Sequence, residues 1–152
     1  MNAVRPNDRR GDGPGVILVA VDGSTTSIRA AAWAAGLARR QDARLLCVHV
    51  ATRPVLAGLA LGLGGEGPVD ADVDDMAGDL EKQLREAARD YQVRVEFVVR
   101  SGDPVVEIGK LADEVKVDAV IVGASTHAGH RLVGSVAIRL VRAGRWPVTV
   151  VP

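Results

Sequence analysis

The sequence contains little cysteine, few aromatic residues and no net charge, and each shortage excludes a class of protein. Its one cysteine, Cys47, lies in an apolar run, so a disulfide framework is excluded and a small buried side chain is predicted. Aromatic residues make up 3% of the chain, too few for a surface that stacks nucleic-acid bases. Lysine and arginine together number 19, as do aspartate and glutamate, so no global field draws the chain to nucleic acid or to an anionic membrane. Any anion site must therefore be local.

Long hydrophobic runs are also missing. No segment approaches the length of a membrane span, and residues 1–15 are polar, without the apolar segment of a secretory signal. We therefore expect a cytoplasmic protein with no membrane segment. At 152 residues, 47% of them apolar, the chain suits one domain with a continuous core. We expect residues 1–14 to form a disordered tail and residues 15–152 to form that domain.

Short apolar segments rich in β-branched residues alternate with segments of helical periodicity. The apolar segments predict strands at residues 16–22, 44–50, 93–100, 119–123 and 147–151. Stripes at helical spacing predict helices between the strands. The stripes are Ala30, Trp33, Ala34, Leu37 and Ala38; Met76, Leu80, Leu84 and Tyr91; and Ile108, Leu111, Ala112 and Val115.

Strand followed by helix, repeated along the chain, implies parallel strands joined by right-handed crossovers. The predicted fold is therefore α/β, a single doubly wound five-stranded parallel sheet with helices on both faces. Residues 94–97 alternate in polarity like an exposed edge strand, whereas the other strands are almost continuously apolar. Ligands of such sheets bind beyond the carboxyl ends of the strands, so the loops after Val21, Val50 and Val122 are the places to search.

Capping residues support the predicted helices. Ser24 or Thr25 can cap the first helix, Asp103 followed by Pro104 suits an N-cap and a first helical position, and Gly144 can close the last helix. Residues 51–72 form one long irregular stretch with several glycines. A stretch of this length is either a lid over a ligand or a disordered loop.

The segment from Val120 to Ser135 has the pattern of an anion-binding loop. A strand ends at Gly123, Gly134 and Ser135 open the next helix, and Arg131 adds positive charge between them. Glycine permits close approach of the backbone and a positive φ, and the free amides of a first helical turn donate to phosphate oxygens. The alternative is structural: the glycines turn the chain and Ser135 caps the helix.

Asp22 ends the first predicted strand at the same carboxyl edge of the sheet. Its carboxylate can accept hydrogen bonds from a ribose hydroxyl or an amino group. It can equally cap the first helix, which also gains from the helix dipole. The residues alone leave these two interpretations open.

Together these residues resemble the universal stress proteins, from Gly15 to Pro152. The resemblance rests on residues 17–24 (Ile-Leu-Val-Ala-Val-Asp-Gly-Ser), 48–50 (Val-His-Val), 102–104 (Gly-Asp-Pro) and 146–151 (Trp-Pro-Val-Thr-Val-Val). It implies the strand order 3-2-1-4-5, which places the last strand at an edge where family members commonly dimerise. Since Pro147 and Pro152 bracket that strand without blocking its centre, we expect a homodimer through it.

The expected ligand, by the same resemblance, is an adenine nucleotide: ATP, AMP or cyclic AMP, with Mg²⁺ only if ATP binds. Some of the implied positions contact adenine and ribose, and the others contact the phosphates. The implied residues are Ala20, Asp22 and Val50 for the nucleoside, and Gly123, Gly129, Gly134, Ser135 and Val136 for the phosphates.

The phosphate loop departs from the pattern of the family members that bind ATP. They carry a glycine, two residues, a glycine, nine residues, a glycine and then Ser or Thr. In this chain Thr126 replaces the second glycine, and seven residues separate it from Gly134. A Cβ atom and a shorter loop crowd a triphosphate more than a smaller phosphate ligand. Two hypotheses remain: a nucleotide-binding stress-response module, or an interaction module of the same fold that binds no nucleotide and works as a dimer.

Enzyme hypotheses find less support. Residues 123–127 lack the closing glycine of a hydrolase nucleophile elbow. His127 and His130 have no cysteine partner for a zinc site. Residues 22–27 do not supply the Ser-Gly-Gly-x-Asp-Ser loop of an ATP pyrophosphatase. We therefore expect no catalytic residue, no metal site and at most slow ATP hydrolysis.

Overall fold

The computed structural model describes residues 14–52, 69–125 and 133–152, and these form five strands and four helices. The strands are β1 (Val16–Ala20), β2 (Arg44–Ala51), β3 (Val95–Ser101), β4 (Ala119–Gly123) and β5 (Val148–Val151). The helices are α1 (Thr25–Gln41), α2 (Val69–Tyr91), α3 (Pro104–Val115) and α4 (Ser135–Ala143). Almost all of the predicted tail and most of the predicted irregular stretch lie outside the described residues.

The strands form one parallel sheet in the order β3-β2-β1-β4-β5, so the predicted fold and strand order are confirmed. β1 is central, and Leu18 lies between Leu46 of β2 and Val120 of β4. Both edge strands, β3 and β5, are only partly buried. The alternating pattern near residue 95 therefore identified a true edge.

Each face of the sheet has its own core, because successive strand residues point to opposite faces. On one face α1 and α2 cover side chains such as Ile17, Val19 and Leu45. On the other face α3 and α4 cover side chains such as Leu18 and Val120. None of the helices in the described segments is long and apolar enough to cross a membrane.

The predicted helical stripe is confirmed for α3, whose four stripe residues are all buried, but it is partly wrong for α1 and α2. Trp33 is 43% exposed, Met76 53% and Tyr91 38%. Small side chains take the buried positions, because they let a helix axis approach the sheet closely. The buried faces consist of Ala30, Ala31, Ala34, Ala35 and Ala38 in α1, and of Ala77, Leu80 and Ala88 in α2.

The helix ends follow the predicted caps more closely than the predicted boundaries. Ser24 caps α1, Asp103 caps α3, and Gly144 ends α4 with a φ of 61°. However, α2 begins at Val69, inside the stretch predicted to be irregular.

Candidate functional site

A cleft of about 310 Å³ opens beyond the carboxyl ends of β1, β2 and β4. This is the point at which the strand order reverses, since β1 is flanked by β2 on one side and β4 on the other. Of the predicted site residues, those that line the cleft are Ala20, Asp22, Val50, Gly123, Gly134, Ser135 and Val136. Gly129 lies outside the described residues, as do Thr126, His127, His130 and Arg131.

One wall of the cleft is aliphatic. It includes Ala20 and Val50, which were predicted, together with Val48, Val122 and Ile108, which were not. Val48 lies two residues before Val50, so the alternation of strand side chains places both on the same face. That alternation is the signal that would have found Val48. The aliphatic wall suits a flat apolar group.

The first turn of α1 forms a second wall and is closed by its own hydrogen bonds. The Ser24 hydroxyl accepts from the Ser27 amide at 3.2 Å, and the Ser27 hydroxyl donates to the Ser24 carbonyl at 2.9 Å. The Asp22 amide donates to the Ser27 hydroxyl at 3.2 Å, which turns the chain away from β1 after Ala20. Thr26 is buried and donates to the Ala124 carbonyl at 2.6 Å, joining α1 to the end of β4.

The Asp22 carboxylate lies at the exposed rim of the cleft. Its Oδ1 atom accepts from the Ser24 amide at 2.9 Å. Partial burial tends to raise the pKa of Asp22, but hydrogen bonds from Ser24 and Ser27 outweigh it and hold the pKa below its ordinary value of 3.8. Asp22 is therefore an ionised acceptor at neutral pH. Ser24, not Asp22, is the N-cap of α1.

Gly123 is required by packing. A Cβ atom at this position would lie 2.6 Å from the carbonyl carbon of Thr26 and 2.7 Å from the amide nitrogen of Ser27. Neither Gly123 nor Gly134 is among the described glycines with positive φ, so that part of the prediction is wrong. The end of β4 rests directly on the backbone of α1, which only glycine permits.

The first turn of α4 forms the third wall, and it is open. Gly134 is the N-cap of α4 and provides no side-chain hydrogen bond to the helix. Ser135 is the first helical residue rather than the cap, so the structural interpretation of Ser135 is wrong. Ser135, Val136 and Ala137 all line the cleft. The amides of this first turn carry the positive end of the helix dipole, and the N-cap residue supplies no side chain to them.

Three of the described helices therefore begin at this cleft, and in two of them the side chain of the N-cap residue caps the helix. Ser24 satisfies the start of α1, and Asp103 satisfies the start of α3 beside the cleft residue Pro104. Each of these helices directs the positive end of its dipole toward the cleft. At α4 the N-cap residue itself leaves the first amides without a side-chain partner.

The model of the universal stress protein family matches residues 15–152. The chain belongs to the universal stress protein family. It is 28% identical to universal stress protein YxiE of Bacillus subtilis over 144 residues, which cover 89% of this chain and 97% of that protein.

Solved structures of universal stress proteins share the fold. A crystal structure of a universal stress protein in complex with cyclic AMP is 28% identical, with 91% of this chain and 97% of that one covered and a TM-score of 0.64. A family member from Arabidopsis thaliana with AMP bound is 23% identical, with 91% of each chain covered and a TM-score of 0.62.

Two residues of this universal stress protein that invite chemical interpretation lie away from the cleft. Cys47 and His49 are buried and point to the face of β2 opposite Val48. Burial raises the pKa of Cys47 to about 12, so the predicted inert small side chain is confirmed. His49 Nδ1 lies 2.9 Å from the Val21 carbonyl oxygen and joins β2 to the end of β1. Within the described ranges, no group of three or more His, Cys, Asp or Glu residues is placed to hold a metal ion.

Proposed function

We propose that this chain is a cytoplasmic stress-response module that binds an adenine nucleotide, with at most slow hydrolysis of the ligand. The observation that carries the proposal is the contrast within the cleft. An aliphatic wall lies near the N-terminus of α4, whose N-cap residue, Gly134, offers no side chain. Such a cleft suits a ligand with one flat apolar end and one anionic end. Solved relatives with cyclic AMP and AMP support the same ligand class.

The lining residues fit the parts of a nucleotide. Ala20 and Val50 provide aliphatic contact for adenine. Asp22, ionised and exposed at the rim, would accept from a ribose hydroxyl. Ser135 and the first amides of α4 would donate to phosphate oxygens.

The loop ends favour a ligand with a single phosphate. A Cβ atom on Gly134 would lie 3.0 Å from the Cβ atom of Ser125, so the chain leaves β4 and returns to α4 at nearly the same point. The loop between these ends is also two residues shorter than in the family members that bind ATP, which disfavours a triphosphate more than a single phosphate. We therefore expect AMP or cyclic AMP to bind more tightly than ATP, and Mg²⁺ to be needed only with ATP.

The first test is the ligand content of the purified protein. Protein prepared without added nucleotide is denatured, and the supernatant is examined by absorbance ratio and mass spectrometry. A thermal-shift series with ATP, ADP, AMP and cyclic AMP follows, because a ligand at a hundred times its Kd stabilises by about 2.7 kcal/mol. The absence of a shift with all four nucleotides would contradict the proposal.

Variants locate the ligand. Ser135→Ala removes a hydroxyl from the α4 N-terminus and should weaken nucleotide binding. Ser101→Ala is the matched control, because Ser101 is an exposed serine that is not among the residues lining the cleft. Equal affinity in the two variants would place the ligand elsewhere.

We also propose a homodimer through β5, the last strand of the described sheet. Val120 and Ala124 donate to the carbonyls of Pro147 and Val151. Alternate β5 residues therefore face β4, and the backbone groups of Val148 and Val150 face the open edge. A second copy of the chain could add its own β5 there.

The oligomeric state tests this interface. Light scattering should give a dimeric mass for the wild type and a lower mass for Val150→Pro, whose lost amide donor points to the open edge. Circular dichroism checks that the variant is folded. A monomeric wild type at high concentration would contradict the proposal.

The second candidate is an interaction module that binds no nucleotide. Ile138 and Val141, which are 40% and 55% exposed on α4, favour it because they add apolar surface to one helix. The nucleotide panel decides between the candidates: a dimer that binds none of the four ligands supports the interaction module.

A further inference from the structure

Two ion pairs join α3 and its N-cap to α4 and the turn that follows α4, and they lie at opposite ends of α3. Arg139 donates to both carboxylate oxygens of Asp103, at 2.9 and 3.2 Å. Arg145 donates to Asp113. Asp103 caps the start of α3, whereas Asp113 is ten residues further along it, about 15 Å at the rise of an α-helix. Only the first pair is beside the cleft.

Arg139 is placed to reach the start of α4. It follows Ser135, a cleft residue, by four positions, so the two side chains share a face of the helix. Helical side chains lean toward the N-terminus. The Arg139 guanidinium is therefore carried toward the same first turn, whose N-cap residue supplies no side chain.

Arg139 can exchange its ion pair with Asp103 for another anionic partner at little cost in stability. The side chains of Arg139 and Asp103 are 51% and 44% exposed, and exposed ion pairs contribute little to stability. Asp103 has a second task, since its Oδ1 atom accepts from the Val106 amide and caps α3. Loss of Arg139 would leave Asp103 with this capping bond.

We infer that Arg139 is a phosphate-binding residue that Asp103 holds in the absence of ligand. This inference rests on the proposed nucleotide site. When a phosphate occupies the start of α4, the guanidinium transfers its two hydrogen bonds from the Asp103 carboxylate to phosphate oxygens, for which its fork is equally well shaped. Ligand binding thereby breaks the described ion pair between α4 and the N-cap of α3.

The test compares a charged ligand with a neutral one, AMP with adenosine, by calorimetry. Arg139→Gln should weaken AMP about tenfold, the order expected for loss of a charged hydrogen-bonded partner, and leave adenosine unchanged. Asp103→Asn should strengthen AMP severalfold, because it frees Arg139, while asparagine still caps α3. The matched controls are Arg145→Gln and Asp113→Asn, which break the distant pair and should leave both ligands unchanged.

The calorimetry distinguishes failure of the proposed function from failure of the inference about Arg139. A wild type that binds neither AMP nor adenosine refutes the proposed function, and the inference with it. A wild type that binds AMP, combined with unchanged AMP affinity in Arg139→Gln, overturns the inference alone. Equal losses of AMP and adenosine in Arg139→Gln also overturn it, because they would show that Arg139 only maintains the shape of the cleft.

Discussion

The first turns of α1 and α4 line the same cleft but are built in opposite ways. In α1 the hydroxyls of Ser24, Thr26 and Ser27 all make hydrogen bonds within the protein, and the Asp22 carboxylate accepts from the same turn. In α4 the N-cap is Gly134, which has no side chain to offer. The two turns therefore differ in whether the side chain of the N-cap residue closes the turn.

This difference separates stability from binding within a single cleft. The start of α1 is tied to the end of β4 by a buried hydrogen bond, so changes there should destabilise the protein. Ser135 at the start of α4 is exposed, so its replacement should alter the proposed binding more than the stability. The family's phosphate-loop motif includes Gly123, which packs against α1, and Ser135, at the start of α4. It therefore combines a packing role with a proposed binding role.

The largest effect is expected at Gly123. Gly123→Ala places a Cβ atom within 2.7 Å of the α1 backbone, which cannot move without displacing the whole helix. Overpacking of this kind costs about 3 kcal/mol or more. Urea unfolding measures it, and we expect loss of nucleotide binding to accompany the loss of stability.

The control for Gly123→Ala is Gly78→Ala. Gly78 lies within α2, and a Cβ atom there would meet nothing within 4 Å. Alanine should stabilise that helix by about 0.5–1 kcal/mol. If Gly123→Ala were as stable as the wild type, the close contact between β4 and α1 would not exist in solution.

The next effect is expected at Thr26. Thr26→Val keeps the shape of the side chain but removes the hydroxyl that donates to Ala124, leaving a buried carbonyl without that donor. The expected loss is about 1–3 kcal/mol in the free energy of unfolding. Thr25→Val, at the exposed neighbouring position, is the control and should change stability by less than about 0.5 kcal/mol. Similar losses in the two variants would contradict the role given to the Thr26 hydroxyl.

Most of the fold could be predicted from the sequence because its signals are local. Apolar β-branched segments located all five strands, and β4 was exact at residues 119–123. The stripes failed where a large side chain such as Trp33 sits at helical spacing but small alanines pack against the sheet. Helical periodicity shows which apolar residues share a helix face. Burial also depends on how closely that helix approaches the sheet.

The sequence predicted which residues meet in the cleft, because parallel strands end at one edge of the sheet. The roles of these residues in ligand binding stay predictions. The contact between Gly123 and Thr26, 97 positions apart, could not be found, because no local pattern reports a long-range approach. The same holds for the pair of Asp103 and Arg139.

Two variants with smaller expected effects should distinguish the first turn of α1 from the first turn of α4. Ser24→Ala removes the side-chain cap of α1 and should cost about 1 kcal/mol of stability. Ser135→Ala should leave stability within about 0.5 kcal/mol of the wild type and reduce nucleotide affinity. Thermal unfolding and calorimetry on both variants test the contrast. A stability loss in Ser135→Ala equal to that in Ser24→Ala would remove the distinction between the turns.

The smallest effect is the pH dependence that Asp22 contributes. Partial burial opposes ionisation, but hydrogen bonds from Ser24 and Ser27 hold the folded-state pKa below 3.8, the ordinary value for the unfolded chain. A carboxyl group with a lowered folded pKa contributes stability that is fully present above its unfolded pKa and is lost as the pH falls through its folded pKa. Asp22→Asn keeps an oxygen acceptor for the Ser24 amide but cannot titrate. Urea midpoints measured from neutral pH to below pH 3.8 should therefore fall more steeply for the wild type than for Asp22→Asn. Parallel curves would mean that the first turn of α1 does not favour the ionised carboxylate.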